Sequence, residues 1–186
     1  MKCSPFLHGP IAQTVEHLTF NQGVAGSNPA GLTTFFKMIK VYLAGEIHTN
    51  WREELIDLCK SANLDIQFSS PVTNHENSDN CGVEILGTEE KNFWKDQKGA
   101  NINSIRTQKS IKESDIVIVK FGEKYKQWNA AFDAGYAAAL KKSIIVIHSD
   151  DHQHALKEVD AAASAVASNN EQVVRILKYV LLDGYL

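Results

Sequence analysis

A parallel β-sheet covered by helices on both faces, the three-layer sandwich of the α/β class, is the fold this sequence predicts. Three observations predict it. Short apolar runs recur at Ile39 to Ala44, Asp115 to Val119 and Ile144 to Ile147. Their near-continuous apolar character, without polar alternation, marks strands buried on both sides. Segments with a helical apolar period separate these runs, and parallel strands joined in that way are connected by right-handed crossovers.

The first run, Ile39 to Ala44, is ended by Gly45 and is expected to be the first strand. Asn50 then stands where a helix through about Ala62 begins, with Glu53 three residues on in a capping-box pattern. Ile66 to Phe68 is a weaker second strand. Ser69 to about Lys98 is polar, holds Pro71 and several Asn, Asp and Gly residues, and is expected to be a long loop. A loop of that length in a compact domain usually covers or builds a site. A helix from about Asn101 to Glu113 leads into the strand Asp115 to Val119. The loop Phe121 to Gln127 opens a helix through about Lys141, and the strand Ile144 to Ile147 follows. A last helix, about Asn170 to Leu182, carries Val173, Val174, Leu177, Val180 and Leu181 as its apolar stripe. The whole describes a Rossmann-like or flavodoxin-like sandwich. Residues 38–186 form this domain, whereas Met1 to Lys37 show no sustained period and are broken by Gly23, Gly26, Pro29 and Gly31. Gly26-Ser27-Asn28-Pro29 is also what the T-arm DNA of many tRNA genes encodes in one frame. A misplaced start is therefore the expectation for residues 1–37, with a flexible natural tail as the alternative.

Composition narrows the ligand. The 186 residues are 44% hydrophobic and 22% charged, enough for one buried core. The net charge of −3 comes from interspersed acids and bases, so there is no basic stripe and no nucleic-acid partner is expected. A small molecule is expected instead. The three cysteines, Cys3, Cys59 and Cys81, form no CxxC pair, and an odd number argues against a disulfide framework. Cys59 shares a helical face with Trp51, Leu55 and Ala62 and is expected to be a buried small hydrophobe. Cys81 is expected to be exposed in the polar loop. No apolar run approaches about 18 residues, and Met1 to Pro10 lacks the basic-then-apolar order of a secretory signal. A cytoplasmic protein with no membrane partner is the expectation.

In an open parallel sheet the ligand lies outside the carboxyl ends of the strands. Here that means Gly45 to His48, the loop after Phe68, Phe121 to Asp133, and His148 to His154. There is no GxGxxG and no Walker lysine loop, and no cofactor is expected. His148, His152 and His154, with Asp150 and Asp151, lack finger or metalloprotease spacing, so no metal is expected. Gly45 would let backbone approach a ligand closely. Trp128 could stack on a ring or merely pack at a helix start. Asn129 and Asp133 are four residues apart on one helix and share a face, so the amide could orient the carboxylate or bind a hydroxyl. Asp133 could equally serve only to favour the early turns of its helix through the dipole.

Tyr42-Leu43-Ala44-Gly45, the strand Asp115 to Val119, Asp133-Ala134-Gly135-Tyr136-Ala137, and Lys142 before the Ile144 strand together resemble the nucleoside 2-deoxyribosyltransferases. The segments Val41 to His48, Trp51-Arg52-Glu53-Glu54 and Phe121 to Asn129 make the likeness closer to the YtoQ-type branch, over Met38 to about Leu182. The resemblance implies a homo-oligomer acting on a nucleoside or nucleotide, with a neighbouring subunit helping to finish the site. It puts Asp133 where the family has a catalytic Glu that attacks the anomeric carbon and forms a glycosyl ester. Asp is one methylene shorter, and a displacement of about 1 Å can cost on the order of 100-fold in rate. Glu46 is a candidate proton donor if burial holds it neutral. Tyr42, Gly45, His48, Asn74, His75, Asp79, Trp128 and Asn129 are candidate substrate contacts. Near position 101 the family leads one to expect an Asp, where this chain has Asn101, with Asn103 and Arg106 close behind; Asn101 is a further candidate substrate contact, since an amide can hydrogen-bond a hydroxyl but cannot act as a base. The function expected is therefore exchange or cleavage of the N-glycosidic bond of a deoxynucleoside or similar small glycoside. An N-glycoside hydrolase, or a sensor that binds nucleosides or nucleotides without turnover, is the alternative.

Overall fold

A computed structural model describes residues 38–123, 127–182 and 184, and within them five parallel strands form one sheet in the order β2-β1-β3-β4-β5. The expectation about Met1 to Lys37 lies outside the described residues. β1 is Ile39–Gly45, β2 Ile66–Ser69, β3 Ile116–Lys120, β4 Ser143–Ile147 and β5 Ala165–Ala167. α1 (Trp51–Ser61) follows β1, and α2 (His75–Leu86) and α3 (Asn92–Glu113) join β2 to β3. α4 (Trp128–Ala139), α5 (Gln153–Ala162) and α6 (Asn170–Leu181) complete the alternation.

The two faces of the sheet follow from the period of two along each strand. Val41, Leu43, Ile116, Ile118, Ile145 and Ile147 point to one side, where they meet Trp51, Leu55 and Cys59 of α1 and Val173 and Leu177 of α6. Tyr42, Ala44, Val117, Val119, Ile144 and Val146 point to the other, against Ile111 of α3 and Ala130, Ala134 and Ala137 of α4. Both layers are buried, so the strands have no polar face, and each large aliphatic side chain contributes about 1.5 to 3 kcal/mol. Cys59 is in the first layer as expected, with its thiol pushed up to about 11 by burial.

Four local expectations need correction. Asn50 precedes α1 but its side chain caps nothing, and the backbone carbonyl of Asn50 instead accepts from Glu54 N–H at 3.0 Å. The polar stretch from Ser69 to Lys98 is no loop, because it holds α2 and the first turns of α3. These two helices approach so closely that a Cβ at Gly82 would lie 2.3 Å from the Gly99 nitrogen. Close contact through glycine, and no broad apolar stripe, is what pairs them. Cys81 is accordingly half-buried on α2, its thiol donating to the Ser78 carbonyl at 3.1 Å. Between β4 and α6 the chain adds a short 3-10 turn (Asp150–His152), α5 and the edge strand β5.

The order β2-β1-β3-β4-β5 reverses direction between β1 and β3. α1 leaves β1 toward one face and α4 leaves β3 toward the other, so a crevice opens above the carboxyl ends of these two strands.

Candidate active site

A cleft of about 710 Å³ occupies that crevice, within the size range of small-molecule sites. Its floor is built from the ends of β1 and β3. Gly45 has φ +95°, and a Cβ there would lie 2.0 Å from the Lys120 carbonyl oxygen. Glu46 N–H donates to that same oxygen at 2.9 Å. The missing side chain is thus required by the neighbouring strand rather than by a ligand, although Gly45 does line the cleft.

Glu46 is only 4% exposed, and its carboxylate folds back on its own loop. It accepts from the His48 N–H, the Thr49 N–H and the Thr49 hydroxyl. Burial works to raise its pKa, but these three donors together outweigh burial and leave it below the ordinary value. A neutral Glu46 ready to give up a proton is therefore not what the geometry favours, because every donor around it stabilises the anion.

Asp133 projects from the second turn of α4. Burial pushes its pKa up to about 6. Trp128, Asn129, Phe132 and Tyr136 share its wall of the cleft, with Trp128 75% exposed. Beneath them Tyr42 is fully buried and does not line the cleft; its hydroxyl lies 3.4 Å from Thr107 Oγ1. Burial raises the Tyr42 phenol to about 12, the Thr107 bond opposes this, and the negative charge of Asp133 adds to it. Tyr42 therefore supports the floor, and Thr107 is the group that lines the cleft above it.

The opposite wall comes from α2 and α3. Ser78 and Asp79 of α2 face Asp96, Gly99, Ala100, Asn103, Arg106 and Thr107 of α3 across their shared seam. Asn103 Nδ2 donates to the Ser78 carbonyl at 3.0 Å and lies 3.1 Å from its hydroxyl. Of the predicted site residues, the structure brings together Gly45, Glu46, His48, Asp79, Trp128, Asn129 and Asp133. It places others elsewhere. Asn74 caps α2 by accepting from Asn77 N–H at 2.9 Å, which occupies its side chain away from the cleft lining. Asn101 is exposed and does not line the cleft, although Ala100, Ser104 and Gln108 of the same helix do. The side chain of His75, and Lys124 and Tyr125, lie outside the described residues. The loop after β4 takes no part in the lining, since β4 is one strand removed from the reversal point. His148 there is 6% exposed and puts Nε2 3.1 Å from Asp160 Oδ1.

From the sequence, Asn103 and Arg106 were reached only as neighbours of Asn101, and Thr107 and Asp96 were missed. Their spacing of three and four residues along one helix was the available signal.

The arrangement offers a carboxylate on a helix, hydrogen-bonding groups on both walls, and an exposed aromatic ring at the rim. The sequence matches the profile of the family described as nucleoside 2-deoxyribosyltransferase YtoQ over residues 42–181. It is 46% identical over 140 residues to the uncharacterized protein YtoQ of Bacillus subtilis strain 168, covering 75% of this chain and 95% of that one. Among solved structures, a conserved protein from Enterococcus faecalis V583 has the same fold, with a TM-score of 0.55 at 14% identity over 77% of this chain and 99% of that one. A Clostridium botulinum CMP N-glycosidase, BcmB, gives a TM-score of 0.45 at 14% identity, over 76% and 98%.

Proposed function

Because the chain belongs to the nucleoside 2-deoxyribosyltransferase YtoQ family, we propose that its cleft exchanges or cleaves the N-glycosidic bond of a deoxynucleoside or similar small glycoside. The observation that carries this reading is Asp133, a carboxylate on α4 at the carboxyl end of β3, facing the cleft beside Asn129. In its ionised form one oxygen attacks the anomeric carbon. The bond to the base breaks, and the base leaves with the bonding pair and takes up one proton from water in the cleft. A glycosyl ester of Asp133 remains, which a second base or water displaces to restore the carboxylate. The two displacements together retain configuration and require no cofactor. Glu46, held ionised, orders His48 and Thr49 at the floor. The exposed ring of Trp128 can lie against a nucleobase. A second copy of the chain closing the cleft accords with the same reading.

The test is base exchange and free-base release from a panel of deoxynucleosides, with Asp133→Asn beside the wild type. Asp133→Asn keeps shape and removes the anion, so turnover falls by several orders of magnitude while binding survives. Asp133→Glu asks whether the site is built around the shorter acid: a gain in turnover means that it is not. A second reading, binding of nucleosides or nucleotides without chemistry, is favoured by one feature, the Asp at the position of the family's Glu. Tight binding by the wild type with no exchange, hydrolysis or trapped ester would establish it and remove Asp133 from a catalytic role.

A further inference from the structure

The loops after β1 and β3 are clasped together beneath the cleft, and the clasp is anchored by a buried cation that the proposed chemistry does not use. Arg52, on the first turn of α1, is 3% exposed. Its Nε donates to the Leu43 carbonyl at 3.2 Å, Nη2 to the Gly45 carbonyl at 3.0 Å, and Nη1 to the Glu46 carbonyl at 2.5 Å. Trp51 Nε1 donates to that last carbonyl as well, at 2.7 Å, and the guanidinium lies 4.7 Å from the Trp51 ring centroid. Three carbonyls within four residues are thus gripped by one planar group. Burying a guanidinium is costly even when it is hydrogen-bonded, and an apolar side chain would fill the same space without that cost. What the fork supplies is a fixed conformation, since its donors cannot be satisfied together unless the end of β1 keeps one shape.

The next links run upward. Glu46, with its carbonyl held from below, turns its carboxylate onto His48 and Thr49. Its stem packs against Gly122 so tightly that a Cβ on Gly122 would lie 2.4 Å from Glu46 Cγ. Gly122 N–H donates to Gln127 Oε1 at 2.9 Å, and Gln127 immediately precedes Trp128, the first residue of α4. Gln127 Nε2 is buried and has no hydrogen-bond partner among the described residues, where the amide is held by this one bond and by packing. A continuous path of contacts therefore joins Arg52 to the start of the helix that carries Asp133.

We infer that Arg52 is a positioning residue of the candidate site: it fixes Glu46, and through Gly122 and Gln127 it sets where α4 begins. Only the kinetic half of the test below rests on the proposed function. Amide hydrogen exchange is measured on the full chain for wild type, Arg52→Met and Arg52→Lys, with steady-state kinetics on whichever deoxynucleoside the wild type turns over. In Arg52→Met the His48, Thr49 and Gly122 amides exchange at least about tenfold faster, while the strand amides of β3 and β4 keep their rates. Turnover falls on the order of 100-fold, as expected for a displacement of about 1 Å, with KM changed much less. Arg52→Lys keeps the charge without the fork and falls between the two on both measures; it also serves if Arg52→Met fails to fold. Unchanged exchange at the three amides overturns the inference. So does uniform acceleration that includes the strands, the mark of a purely stabilising residue. If the wild type turns over nothing, the proposed function fails and the exchange pattern still decides the role of Arg52.

Discussion

Burial raises one carboxylate of the cleft and hydrogen bonds lower the other, and the two should respond to pH in opposite ways. On the proposed function, Asp133, pushed up to about 6, must lose its proton before it can attack. Turnover limited by that step should climb as pH rises through about 6 and then level off, a profile that a pH-rate measurement checks. The same shift bears on folding. A carboxyl whose folded pKa is above its unfolded value of 3.8 binds more protons in the native state between those two pH values. Stability therefore falls as pH rises across that window and stays reduced above it. Asp133→Asn removes the penalty, so at pH 8 it should be more stable than wild type by on the order of 1 to 3 kcal/mol, with the difference gone below about pH 4. Denaturant melts at the two pH values decide this. Asp133, Asn129, Glu46 and His48 were legible in the sequence because strand ends and first helical turns mark the crevice in any parallel sheet. Asn101 stands at the edge of the lining, about 20° around the helix from Gln108, which does line the cleft, so helical spacing alone could not separate the two.

Glycines set the fit between elements, and two of them make opposite predictions. Gly45→Ala puts a methyl group 2.0 Å from the Lys120 carbonyl at a positive φ, so β1 and β3 must separate where the cleft begins. A loss of about 2 kcal/mol or more is expected in thermal or denaturant unfolding. Gly135 is exposed within α4, and a Cβ there meets nothing within 4 Å. Gly135→Ala should raise stability by about 0.5 to 1 kcal/mol through helix propensity alone. A loss instead would mean that another surface lies against α4. The buried strands β1, β3 and β4 and the striped helix α6 announced themselves by apolar pattern. α2 did not, because Asn, Ser, Asp and Gly fill its first turns and its partner is a glycine on α3. β5, three residues of Ala-Val-Ala, is too short for any period to show.

For the molecule as a whole, one reversal of strand order decides where chemistry can occur, and that much follows from topology rather than from any single residue. Among the described residues, both layers of the core are built from elements that begin at Ile39. A chain starting at Met38 should therefore melt within a degree or two of the full-length chain, and calorimetry of the two would expose a larger difference. The wall formed by α2 and α3 leaves the cleft open to solvent, and a homo-oligomer is expected to cover it. Light scattering at working concentration that finds only single chains would count against that assembly.

α3 has a mechanical consequence. It is one unbroken helix of 22 residues, fixed near its C-terminal end by the fully buried Ile111, while Asp96 and Gly99 toward its other end, packed against α2, form part of the cleft wall. At 1.5 Å per residue such a rod is about 33 Å long, and a tilt of about 5° at the pivot sweeps its outer end through roughly 3 Å. The helix would thus act as a lever: the same tilt about Ile111, deep under the sheet, would shift Asp96 by about 2 Å and the lining residues nearer the pivot by less.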